Sequence, residues 1–87
     1  MVTEAAILLC LEIVAQPGYG YTLGSVEMAS IGYTPDKRGW PLYTGIVREA
    51  MLRLEEAGID PRNQQEVLQR RRALRAGAGM IEGVVDG

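Results

Sequence analysis

The feature that most limits the folds open to this chain is the run from Ala5 to Ala15, where every residue except Glu12 is apolar. By pattern alone such a run is a helix or a buried strand. Its length from Thr3 to Gln16, with its Ala, Leu and Glu content, favours the helix. A helix that is apolar on nearly every side belongs in the centre of a core or at a dimer interface. Pro17-Gly18 ends it. The run is not read as a signal peptide, because only Thr3 and Glu4 lie just before it and no Lys or Arg does. It is also too short to cross a bilayer, which takes roughly 20 apolar residues, and Glu12 interrupts it.

The rest of the chain offers less apolar material. Its 87 residues suffice for one domain, and a chain of that size buries only about 60% of its unfolded surface. There is no Phe, so the core is expected to be aliphatic. After Pro17 the string Gly18-Tyr19-Gly20-Tyr21 reads as a turn or short extended piece. Thr22 or Ser25 then caps a short helix through Val26, Met28, Ala29 and Ile31, stopped by Gly32. Tyr33 to Trp40 is predicted as a loop, with a turn at Thr34-Pro35-Asp36. From Pro41 or Thr44 to Ala57, Ile46, Val47, Ala50, Met51, Leu54 and Ala57 fall at helical spacing on one stripe, and Gly58 supplies the stop. Leu42 and Leu52 lie off that stripe. A further helix is predicted from Asp60-Pro61 to about Ala76, with Asp60 as N-cap and Pro61 in the first turn. Its stripe of Val67, Leu68 and Leu74 is thin, so it packs by one edge or docks on a partner. The expected fold is therefore mostly α, with three to four helices in one domain over residues 1–76. The Gly-rich tail, 77–87, is loose, docked on a partner, or adds a short β element.

The residues that commonly do chemistry are scarce. There is no His, which removes the commonest general base and metal ligand. Cys10 is the single cysteine and sits in the apolar run, where a buried, inert thiol is the expected state. Glu55 and Glu56 are adjacent, so on a helix they point about 100° apart and do not converge as an acid–base pair. We therefore expect no enzymatic activity, no cofactor and no metal. With one cysteine and no targeting segment read, a cytoplasmic setting is expected.

Charge is unevenly placed. Glu4, Glu12, Glu27 and Asp36 occupy the first 36 residues without a base, although the whole chain carries a net charge of only −2. Nine bases lie between Lys37 and Arg75 against five acids, a local net of +4, which hints at an anionic partner. Arg71 and Arg75 share a helix face and are candidates for phosphate contact, although basic residues near a helix C-terminus are also favoured by the dipole alone. Tyr19, Tyr21, Tyr33, Trp40 and Tyr43 either pack over the core or form a contact surface, since Trp and Tyr dominate binding hot spots.

Two stretches carry a resemblance. Ile7-Leu8-Leu9-Cys10-Leu11 through Gln16-Pro17-Gly18-Tyr19-Gly20-Tyr21-Thr22-Leu23 resembles the first helix and following turn of PadR-type winged-helix transcription regulators. Pro41-Leu42-Tyr43 through Leu52-Arg53-Leu54-Glu55-Glu56-Ala57-Gly58-Ile59 is similar to that family's recognition helix. The resemblance covers about half the chain. It implies a helix-turn-helix fold and a dimeric DNA-binding regulator, with Tyr43, Thr44, Arg48 and Arg53 on the helix that enters the major groove. The chain departs from the pattern twice. Gly32 to Trp40 exceeds the few residues of an ordinary helix-turn-helix loop, and Asp60-Pro61 begins a helix where the family has a two-stranded wing.

A second class of function is motivated by the acidic net charge, the thin stripe and the apolar tail. It is a protein-interaction or assembly subunit, such as a phage-encoded adaptor or virion component, acting as a homo-oligomer. A small core gains stability from oligomerisation. Trp40, Leu42, Leu52, Val67 and Leu74 are the candidate interface residues under this reading. No membrane partner is expected.

Overall fold

The computed structural model describes residues 3–35 and 43–77. Among these residues the chain is mostly helical. It has α1 (Glu4–Ala15), a 3-10 turn (Tyr19–Thr22), α2 (Ser25–Ser30), α3 (Tyr43–Glu56) and α4 (Gln64–Gly77), and no strand. Trp40, Leu42 and the tail beyond Gly77 lie outside the described residues, and so does the β element expected there.

The α1 helix starts because Thr3 Oγ1 accepts from the Ala6 N–H at 3.1 Å, satisfying one of the donors a helix leaves open at its N-terminus. It ends where Gln16 turns extended and Gly18 takes a left-handed φ of +85°. It occupies the centre, packed on both α3 and α4. Ala6, Leu8, Cys10, Leu11 and Ile13 are all buried, as an all-round apolar helix requires.

After Pro17, of the turn or short extended piece expected, the chain forms the turn, a tight 3-10 one over Tyr19–Thr22. Its bonds run from Tyr21 N–H to Gly18 O and from Leu23 N–H to Gly20 O. Gly20 is buried there against Ile46 and Tyr43, and a Cβ at Gly20 would come within 3.0 Å of Ile46 Cγ2. A side chain at this position would push the turn off α3.

The short α2 is capped by neither Thr22 nor Ser25 but at Gly24, whose N–H donates to Glu27 Oε1 at 2.7 Å. The acidic side chain at the third helical position reaches back to the N–H of the cap residue, the half of a capping box that needs no side chain at Gly24. At the other end Gly32, with φ +86°, closes a paired cap. Its N–H donates to Ala29 O and the Tyr33 N–H to Met28 O. The same arrangement ends α3, where Gly58 and Ile59 donate to Glu55 O and Leu54 O, and Ile59 is buried behind the cap.

Along α3, Ile46, Ala50 and Leu54 are fully buried. Val47 and Met51 flank them half-buried, and Ala57 is exposed. The start expected for α4 at Asp60-Pro61 is replaced by a turn. Asp60 Oδ1 accepts from the Arg62 N–H and Asp60 O from the Asn63 N–H, so Asp60 closes a turn of its own rather than capping a helix. Asn63 is the true cap, with its Oδ1 accepting from the Glu66 N–H at 3.2 Å.

Candidate functional site

Of the four arginines expected to meet a partner, Arg53, Arg71 and Arg75 are engaged within the chain. On α4, Arg71 and Arg75 are one helical turn apart and share a face, and that face lies on α1. Arg71 Nε is 3.1 Å from Glu12 Oε1, and Arg75 Nε donates to Glu12 Oε2 at 2.9 Å. A second Arg75 nitrogen reaches the same oxygen, and Gln16 Nε2 donates to Glu12 Oε1. The Glu12 side chain is only 9% exposed, against 22% and 30% for the two arginines. A carboxylate inside an apolar helix is tolerable only when its oxygens are satisfied. Here both oxygens are held by charged donors, so the arginine face expected to contact phosphate closes the core instead.

This clamp is the feature that reading the sequence misses. The available signal was Glu12 itself, a lone carboxylate in an otherwise apolar helix. Such a group needs a cation, and Arg71 and Arg75 supply two at helical spacing.

On α3, Arg53 is similarly occupied. Its Nη2 donates to Glu56 Oε2 at 3.3 Å, and Nη1 lies 3.7 Å from Glu49 Oε1. Nε approaches Glu56 Oε1 at 3.0 Å without the alignment of a hydrogen bond. The guanidinium lies across Gly32, where an added Cβ would be 2.6 Å from Nη1. It also sits near Cys10, whose thiol burial pushes up to about 12, with the Arg53 charge pulling the other way. Cys10 is fully buried and remains a neutral thiol at ordinary pH.

Tyr43 opens α3, but its hydroxyl accepts from the Gly18 N–H at 2.8 Å. Its ring stacks on Tyr21 with centroids 4.6 Å apart. It ties the helix to the Pro17-Gly18 turn and is half-buried there. Tyr19 and Tyr33 also pack against the core.

Of the six residues expected to contact nucleic acid, Thr44 and Arg48 are exposed. Arg48 joins no ion pair among the described residues. Of the expected interface residues, Leu52 is 40% exposed. Val67 is buried in the chain's own core and Leu74 packs against it, because the thin stripe of α4 is covered by α1. Tyr21, Val26 and Leu68 are the other large apolar side chains exposed among the described residues.

Where the last turn of α1 meets the start of α4, Val14, Ala15, Pro61, Arg62, Gln64, Val67 and Leu68 line a groove of about 240 Å³. That is below the range typical of small-molecule sites, roughly 300–1,000 Å³. Among the described residues no three His, Cys, Asp or Glu side chains gather as a metal site. No helix among them is long and apolar enough to cross a membrane. No protein-family model, no curated protein and no solved structure matches the chain.

Proposed function

We propose that this chain is a non-enzymatic assembly subunit that associates with itself through its helical surface. The observation that carries this reading is the internal engagement of Arg53, Arg71 and Arg75 with Glu49, Glu56 and Glu12. Duplex binding draws its affinity from rows of cations free to displace counterions from phosphate. With those three held, and Arg62 paired to Glu55, Arg48, Arg70 and Arg72 are the exposed arginines of the described residues outside an ion pair. They share the surface with exposed Glu4, Glu27, Glu55, Glu56 and Asp60. Exposed Leu52 and Leu68 are side chains that an association surface uses.

A second reading is a DNA-binding regulator of the helix-turn-helix type, as the winged-helix resemblance implies. It is favoured by the exposure of Thr44 and Arg48 on the first turns of α3. One experiment separates the two: light scattering of the purified protein with and without nonspecific duplex DNA, at low and high salt. Assembly predicts a mass above the monomer at both salt concentrations, unchanged by DNA. A DNA complex at low salt that dissolves steeply as salt rises would overturn it in favour of the regulator.

A further inference from the structure

The outer face of α3 is self-complementary. The buried positions Ile46, Ala50 and Leu54 define the inward direction, and helical spacing puts Arg48, Leu52 and Glu55 on the opposite side. All three are exposed, and Leu52 is the large apolar residue among them. Arg48 lies four residues before Leu52 and Glu55 three after it, about one turn in each direction.

We propose that this face docks on the same face of a second copy, the two α3 helices running antiparallel about a two-fold axis close to Leu52. The inference rests on the assembly reading and names its surface. A two-fold contact must bring one patch against itself. With the axis near Leu52, the two Leu52 side chains meet at the centre. Arg48 of each copy then lies over Glu55 of the other, so the register yields two ion pairs and no like-charge contact.

The parallel arrangement sets Arg48 against Arg48 and Glu55 against Glu55, and is disfavoured. Within the chain Glu55 meets Arg62, at 3.3 Å, with side chains 45% and 71% exposed. So exposed a pair is worth little and leaves Glu55 free to turn to a second copy. Among the described residues Arg48 has no ion pair to give up. A contact built on one helix pair lies at the small end of specific interfaces, so the association is concentration-dependent.

The test is a charge exchange read by analytical ultracentrifugation across the micromolar to millimolar range, with circular dichroism confirming that each variant keeps its helix content. R48E puts Glu opposite Glu55 in both halves of the contact, and E55R puts Arg opposite Arg48. Each variant alone is expected to associate about tenfold more weakly than the wild type. Mixing the two restores the association, because every facing pair in the mixed dimer is again opposite in sign. The weakening shrinks in 1 M salt, where rim charges are screened. L52D, which places two carboxylates on the axis, abolishes association. If the wild type associates but neither charge variant nor L52D changes it, docking through α3 is overturned and the assembly reading stands. If the wild type is monomeric throughout, both fall.

Discussion

Helices α3 and α4 have the same length, 14 residues each, and both lie against α1, yet they are held by different means. α3 inserts three fully buried aliphatic side chains, Ile46, Ala50 and Leu54. α4 buries Val67 alone, adds the half-buried Leu74, and for the rest of its length closes on Glu12 with two guanidiniums. The first attachment is non-directional and scales with apolar area. The second is directional: a slip of one residue along α4 would carry both guanidiniums off a carboxylate that cannot be left bare. A helix too poor in apolar residues to stick by area can still be fixed in register by one buried ion cluster, a role attested for buried polar groups elsewhere.

That contrast can be broken from either side. The largest effect is expected from Leu54→Ala, which empties a fully buried site under α3 and should lower stability by about 3 kcal/mol, read as a lower urea midpoint with unchanged slope. Glu12→Gln comes next, at about 2 kcal/mol. It leaves two half-buried guanidiniums without a countercharge, and their partial exposure reduces the penalty below that of a fully buried pair. Its signature differs from the first: hydrogen exchange should rise over α4 before it rises over α3. Replacing the cluster by apolar side chains of similar volume, E12L with R71L and R75M, should bring stability back to within about 1 kcal/mol of the wild type.

Smaller still is Tyr43→Phe, which strips the acceptor from the Gly18 N–H and should cost about 1 kcal/mol in the same urea titration. The last concerns the region that α3 and α1 enclose. With its thiol held up at about 12, Cys10 should not react with a thiol reagent at pH 8 until the protein is unfolded. Because the folded state keeps this proton and the unfolded thiol loses it near 9, stability should fall as pH rises from about 9 toward 12. Rapid labelling of the native protein would contradict the burial of α1.

The same contrast explains what could be read before any coordinates. Local patterns were legible: the apolar run of α1, the stripe of α3, and the stops at Gly32 and Gly58 all depend on neighbours within a few residues. The start of α4 was harder, because Asp60 and Asn63 are both good caps three residues apart. The helix starts at Asn63 because its Oδ1 accepts from the Glu66 N–H and its carbonyl from the Val67 N–H. The clamp was out of reach of periodicity altogether. Glu12 and Arg75 are 63 residues apart in the chain, and no helical repeat connects them. The arginines therefore looked like a solvated or phosphate-facing surface, when the lone carboxylate in α1 had already taken them.

The claim beneath both the fold and the assembly reading is that the α4 arginines belong to Glu12. A double-mutant cycle with Glu12→Gln and Arg71→Gln, measured by urea unfolding, tests it most directly. The clamp predicts a coupling of about 1.5 kcal/mol between the two changes. A coupling indistinguishable from zero, with Arg71→Gln as harmless as an exposed substitution, would contradict it and return those side chains to the surface.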